Sequence, residues 1–215
     1  MTSWLTMALP KGRVLRAVVP LLASAGADDG SLLAEGRTLV RESPAAGLRF
    51  LLLKPADVPT YVEYGAADLG VCGRDVLLER ESDVYQPLDL GVGKCRMVVA
   101  GPAGRPAPRG VPRVATKYPR CAAEHFARRG VQADIICLEG SVELAPLTGL
   151  SELIVDLVET GATLAQNGLE EREQVAQISS VLIANRAAYK LRQERVSSII
   201  DSLRASVSGR ATQAT

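Results

Sequence analysis

Apolar residues run along this chain in short blocks of strand length, separated by segments with helical spacing or by polar, glycine-containing turns. Residues 5–9, 37–41, 48–53, 66–75, 95–100, 113–116, 134–138 and 153–158 read as strands, and residues 84–90 close a first lobe. Residues 170–184 read as one further strand carrying Val175, Ile178, Val181, Leu182 and Ile183. Helical spacing marks residues 14–25, with Pro20 as a kink, and then 57–65, 76–81, 119–129 and 185–203. The last of these is the best amphipathic helix, with Ala188, Leu191, Val196, Ile199, Ile200 and Leu203 on one face. Residues 28–36 and 101–112 are loops, and 206–215 form a polar, frayed tail. Strand–helix alternation predicts an α/β fold with largely parallel sheets. The expected division is residues 1–90 plus 185–215 as lobe I and 91–184 as lobe II, with Gly91-Val92-Gly93-Lys94 as a crossover.

In such sheets ligands bind beyond the strand C-termini. Lys11, Lys54, Cys72 to Arg74, Lys117 and Thr160 to Thr163 all fall at predicted strand exits. The richest exit follows Leu153-Ile154-Val155-Asp156-Leu157-Val158. The chain passes through Glu159-Thr160-Gly161-Ala162-Thr163 into a short helical pattern ending near Asn167-Gly168. Backbone N–H groups, a helix dipole and two hydroxyls converge on one spot there, which suits a phosphate. Asp156 lies inside an apolar run, where an unpaired carboxylate is costly, so it is expected to emerge near the strand's end. A carboxylate only accepts hydrogen bonds, so sugar hydroxyls are its natural partners. At the first exit, Lys11 and Arg13 flank a helix N-terminus, where cations oppose the dipole unless an anion binds between them. Gly70 and Gly73 leave strand backbone open to a ligand ring, or else serve tight packing.

Composition narrows the classes. Hydrophobic residues make up 47% of 215, enough for a real core, while aromatics are only 4%. Few aromatics, a net charge of +1 and no basic tract argue against nucleic-acid binding. No run reaches transmembrane length and no export signal opens the chain, so a cytoplasmic location is expected. Cys72, Cys95, Cys121 and Cys137 lack metal-ligand spacing and read as reduced thiols. The single His125 sits in a helical stretch and reads as structural.

Four blocks together resemble a known family: Leu9-Pro10-Lys11-Gly12-Arg13, Gly65-Ala66-Ala67-Asp68-Leu69-Gly70-Val71, Ala115-Thr116-Lys117-Tyr118, and the stretch from Glu143 through Gly149, Ser151, Asp156 and Thr160 to Leu164. Their order and spacing are similar to the ATP phosphoribosyltransferases, from about Leu5 to about Leu203, and to the short form lacking a C-terminal regulatory domain. The resemblance implies a two-lobed, periplasmic-binding-protein-like (type II) fold with the active-site cleft between the lobes. It implies condensation of ATP, through adenine N1, with 5-phosphoribosyl 1-pyrophosphate, releasing pyrophosphate with Mg²⁺ as cofactor. It also implies a regulatory partner resembling histidyl-tRNA synthetase, with a homodimer of this chain inside a hetero-octamer.

Carried over position by position, Glu143, Asp156, Glu159, Thr160, Gly161, Ala162 and Thr163 are expected to hold phosphoribosyl pyrophosphate. Arg13 and Arg37 would stabilise the leaving pyrophosphate. Lys11, Lys54, Asp68, Cys72, Arg74, Lys117 and Tyr118 are expected on the ATP side. No dedicated metal ligands are expected, because Mg²⁺ would be held mainly through substrate phosphates. Asp156 is followed by Leu157 and not by a second acid, so roles from the unrelated common phosphoribosyltransferase fold do not transfer. The competing reading is a two-lobed solute-binding module without catalysis, which shares the architecture but has no need of the Thr-Gly-x-Thr turn.

Overall fold

The computed structural model describes residues 4–28, 30–33, 38–106 and 108–213. In chain order the strands and α-helices are β1 (Leu5–Pro10), α1 (Arg13–Ser24), β2 (Val40–Ser43), β3 (Leu48–Leu53), α2 (Val58–Glu63), β4 (Leu69–Gly73), α3 (Arg74–Arg80) and β5 (Tyr85–Asp89). There follow β6 (Cys95–Pro102), β7 (Arg113–Thr116), α4 (Pro119–Arg128), β8 (Asp134–Cys137), α5 (Leu144–Leu147), β9 (Leu153–Val158), α6 (Ala162–Gln166) and β10 (Leu169–Ile178). The chain ends in β11 (Ser180–Ala184), α7 (Arg186–Leu191) and α8 (Gln193–Gln213). It divides into two compact units, Met1–Gly93 with Ser179–Thr215, and Lys94–Ile178.

The first unit is built on a six-stranded sheet ordered β2-β3-β1-β4-β11-β5. β1 pairs in parallel with β3 and β4, whereas β2 and β11 run antiparallel to their neighbours. β1 is apolar on both faces because both are covered, as central parallel strands require. On one face Leu5, Met7, Leu9 and Phe50 pack with Val18 and Leu22 of α1 and Val196, Ile200 and Leu203 of α8. On the other, Ala8, Cys72, Val181 and Ile183 pack with Val58 and Val62 of α2. A Cβ on Gly70 would come within 2.7 Å of Val62, so this glycine lets α2 lie close on the sheet.

The second unit carries a five-stranded sheet ordered β10-β6-β9-β7-β8. β7 pairs in parallel with β8 and β9, while β6 runs antiparallel to both β9 and β10. Val99, Val114 and Val155 face Phe126 and Cys121 of α4. Val98, Ala100, Ala115 and Ile154 face Ala145 of α5 and Leu164 of α6.

Three expectations are corrected. The sheets are mixed, not largely parallel, because the chain re-enters each by antiparallel strands. Residues 170–184 are not one strand. They break at Ser179, where β10 leaves the second sheet and β11 enters the first between β4 and β5, so residues 180–184 belong with lobe I. The C-terminal helix continues to Gln213, through most of the expected frayed tail.

Candidate functional site

In the second unit, strand alternation decides which way Asp156 points. Ile154, Asp156 and Val158 share a face by the period of two, and that face carries α5 and α6. Glu143 immediately precedes α5. The parallel register pairs Thr116 with Val155, so Lys117 lies one step beyond, beside Asp156. Asp156 is half-buried and accepts the N–H of Leu157 at 2.8 Å. Burial pushes its carboxyl above the usual carboxylate range, with Glu143's charge adding to the rise and the Leu157 amide and Lys117 opposing it. A half-buried carboxylate held at a cost beside an acid and a base is a candidate functional group.

Two residues past β9 the chain turns. Gly161 adopts φ +85°, a left-handed conformation that L side chains rarely take. A Cβ there would meet only Val158, at 4.0 Å, so the residue is fixed by its φ and not by crowding. The Thr160 hydroxyl accepts the Ala162 N–H at 3.3 Å, closing the turn at the start of α6. Thr160, Ala162 and Thr163 are exposed, as is Glu159, whose carbonyl accepts from Arg96 Nη1 at 3.2 Å. Arg96 is itself anchored on Glu171 by an Nε hydrogen bond of 2.7 Å.

The first unit gathers cations at one sheet edge. Pro10 and Leu53 are register partners at the ends of β1 and β3, so Lys11 and Lys54 leave adjacent strands side by side. The Lys11 N–H donates to the Leu53 carbonyl at 2.8 Å, and both side chains are exposed. Gly12, at φ +88°, opens α1, and Arg13 is its first residue; no acid occupies that first turn. Arg74 starts α3 at the same edge, but its guanidinium is engaged with Asp89 at 3.0 Å. Burial alone would raise the Asp89 carboxyl. The Ser179 hydroxyl at 2.7 Å, the Gly91 amide and Arg74 outweigh burial and hold it below the usual range.

Other expected site residues lie elsewhere. Asp68 precedes β4, at the sheet edge opposite Lys11 and Lys54. There it accepts the Thr6 N–H at 2.8 Å and pairs with Arg192 at 3.1 Å. A residue before a parallel strand stands on the wrong side of the sheet for an exit-side ligand, so Asp68 serves the fold. Cys72 has no exposed surface, and burial, together with Asp75's charge, pushes its thiol far above its ordinary value. Tyr118 is buried in the core against α4, leaving Lys117 as the exposed member of that pair. Arg37 lies outside the described residues.

Sequence reasoning missed Arg96, Thr116, Asp89 and Asn185. Thr116 holds the backbone on either side of the Asp156–Lys117 pair. Asn185 caps α7 by accepting the Ala188 N–H and donates to the Val62 and Glu63 carbonyls at the end of α2. Only Asn185 carried a readable signal, as an N-cap type before a helical pattern.

Among the described residues no three His, Cys, Asp or Glu side chains cluster as a metal cage. The Glu143–Asp156 pair fits a hard cation that keeps most of its coordination for water and phosphate oxygens. No described helix is long and apolar enough to cross a membrane.

The family model described as ATP phosphoribosyltransferase (HisG) matches residues 54–205. An ATP phosphoribosyltransferase of Sorangium cellulosum is 58% identical over 209 residues, covering 97% of this chain and 99% of that one. ATP phosphoribosyltransferase 2 of Geobacter sulfurreducens is 50% identical over 208 residues, covering 94% and 98%. Among solved structures, a chain of the ATP phosphoribosyl transferase (HisG:HisZ) complex of Thermotoga maritima superposes with a TM-score of 0.83 at 38% identity, covering 95% and 99%. The periplasmic aliphatic sulphonate binding protein SsuA of Escherichia coli follows at a TM-score of 0.66 and 12% identity, covering 98% and 75%, which bears on fold alone.

Proposed function

The chain belongs to the ATP phosphoribosyltransferase family, and from that premise we propose that the Asp156 face and the Glu159–Thr163 turn form its phosphoribosyl pyrophosphate subsite. The activity condenses ATP with 5-phosphoribosyl 1-pyrophosphate to give N1-(5-phosphoribosyl)-ATP and pyrophosphate, the first step of histidine biosynthesis. The observation that supports the subsite best is the half-buried Asp156, set between Glu143 and Lys117 and followed by a turn built on a φ +85° glycine.

The chemistry follows from these groups. Asp156 accepts the ribose hydroxyls and fixes C1 relative to the incoming adenine. Glu143 orders the approach to α5 or takes a further hydroxyl. Thr160 and Thr163, with the amides opening α6, receive the 5-phosphate without adding net charge. As the C1–O bond to pyrophosphate lengthens, C1 becomes oxocarbenium-like, so no protein nucleophile is needed. Arg13 and Arg37 are assigned to the departing pyrophosphate, and Lys11 and Lys54 to the phosphates of ATP. Arg74, paired with Asp89 through one guanidinium nitrogen, is assigned to ATP, and so is Lys117, beside Asp156. Glu143 and Asp156 would help to hold a Mg²⁺ ion carried mainly by the substrate phosphates, and the ion would supply positive charge to offset that of the leaving group. The unit Met1–Gly93 with Ser179–Thr215 is assigned mainly to ATP and Lys94–Ile178 mainly to phosphoribosyl pyrophosphate, with Arg13 and Lys117 among the exceptions. Attack by N1 makes the adenine cationic and acidifies its amino group, so a dedicated general base is unnecessary.

By the likeness to the Thermotoga maritima HisG:HisZ complex, we propose that this chain assembles with a HisZ-type subunit; the further reading is that the subunit is regulatory and resembles histidyl-tRNA synthetase, and that the assembly is cytoplasmic. In that assembly it would form homodimers within a hetero-octamer. The test is an absorbance assay of phosphoribosyl-ATP formation with Mg²⁺ and both substrates, with and without such a subunit, beside Thr160→Ala and Arg13→Ala. Product from the wild type that falls in both variants is the expected result. Unchanged rates in Thr160→Ala would remove the turn from the site.

A further inference from the structure

Thr116 is the last residue of β7 and has no exposed surface. Its Oγ1 donates to the Val155 carbonyl at 2.6 Å and accepts the Tyr118 N–H at 2.9 Å. Its own carbonyl is taken by the Leu138 N–H at 2.9 Å. The parallel pairing of β7 with β9 ends at Thr116 and Val155, so the hydroxyl joins the two strands where their backbone ladder stops. Val155 precedes Asp156, and Tyr118 follows Lys117. One side chain thus grips the backbone next to both members of a charged pair, using the single proton and a lone pair that a hydroxyl offers.

We infer that Thr116 is a positioning residue for phosphoribosyl transfer, fixing Asp156 and Lys117 relative to each other through the backbone atoms it holds. The inference rests on the reading of Asp156 as the ribose-holding group. Losing the hydroxyl takes a donor from the Val155 carbonyl and an acceptor from the Tyr118 amide, which loosens the backbone at both points. Lys117 and Asp156 then move independently. Small displacements of positioning groups cost up to about 100-fold in rate.

Ser and Ala at position 116 both lack the threonine methyl and differ only in the hydroxyl, so their comparison isolates it. Steady-state kinetics of Thr116→Ser, Thr116→Ala and Asp156→Asn should be measured with the regulatory subunit present, beside thermal unfolding of each. Thr116→Ser is expected to stay within about threefold of wild type, while Thr116→Ala raises the KM for phosphoribosyl pyrophosphate about tenfold or more. A purely structural role would lower the unfolding midpoint and leave that KM unmoved. If Thr116→Ala does not fold, Thr116→Val keeps the volume without the hydroxyl and must show the same rise. Equal kinetics of the Ser and Ala variants, with Asp156→Asn impaired, would overturn the positioning role alone. An unimpaired Asp156→Asn would overturn the subsite on which it rests.

Discussion

At the ends of β1 and β9 the chain turns through a glycine of positive φ, extended in ψ at Gly12 (−140°) and left-handed helical at Gly161 (−3°), and the charges around the two turns are opposite. Each strand runs into a glycine at φ +88° or +85° that starts a helix without a side-chain cap. Neither glycine is there to make room, since a Cβ would meet nothing within 4 Å at Gly12 and only Val158 at Gly161. Around the first turn stand exposed cations on long, flexible stems, Lys11, Arg13 and the neighbouring Lys54. Around the second stands a half-buried carboxylate with fixed neighbours, followed by hydroxyls and amides. The first arrangement suits a mobile polyphosphate, whose charge can be met from several directions. The second suits a sugar phosphate that must be held in one pose while its C1 reacts. Exposed charges are individually weak and screened by salt, whereas fixed, partly buried groups resist replacement.

The sharpest break in that comparison is Asp156→Asn. In the proposed subsite it would exchange charge-assisted bonds to ribose hydroxyls for neutral ones, and kcat/KM for phosphoribosyl pyrophosphate should fall about 10- to 100-fold. The same residue sets a pH dependence. Because its carboxyl sits above the usual range, the acid limb of that kcat/KM profile lies above where an ordinary carboxylate titrates, and Asp156→Asn abolishes it. Stability runs the other way. The folded chain takes up this proton more readily than the unfolded one, so unfolding free energy falls as pH rises from the ordinary carboxylate value through the raised one. Urea titrations across that range should show the slope in wild type and lose it in Asp156→Asn.

The two glycines sharpen the comparison next. Gly161→Ala should cost about 1–2 kcal/mol of stability, because it forces an L residue into left-handed backbone, and Gly12→Ala should cost more, because φ +88° with ψ −140° is open to little but glycine. Their kinetics should diverge, with Gly161→Ala raising the KM for phosphoribosyl pyrophosphate and Gly12→Ala that for ATP. Smaller still, Lys11→Ala and Lys54→Ala should each change the KM for ATP less than about fivefold at physiological salt, with a larger effect at low ionic strength. Asp68→Asn should leave both KM values at wild-type levels and lower the thermal midpoint, since it loosens Thr6 and Arg192 at the far edge of the sheet.

What could be read from the sequence follows the same divide. β1, β3, β4 and β9 are legible because both of their faces are covered and they become largely apolar runs, broken only by single polar residues such as Arg49 and Asp156. The Thr160–Thr163 turn is legible because only glycine takes that φ cheaply. Residues 170–184 were misread because just one residue, Ser179, separates β10 from β11, with no glycine or proline to mark the passage between sheets. Asp68 and Cys72 sit in a block that resembles the family, yet a block's likeness does not say which side chains face a ligand. Strand direction puts Asp68 at the wrong edge, and coverage of both faces of β4 seals Cys72 in the core. Arg96 and Thr116 act through contacts 63 and 39 residues away, which no local pattern encodes.

The most direct measurement is calorimetric titration of Mg²⁺–phosphoribosyl pyrophosphate into the full chain, for wild type, Asp156→Asn and Asp68→Asn. The account predicts binding by wild type and Asp68→Asn alike, and weakening of at least about tenfold in Asp156→Asn. Wild-type affinity in a folded Asp156→Asn protein would contradict it.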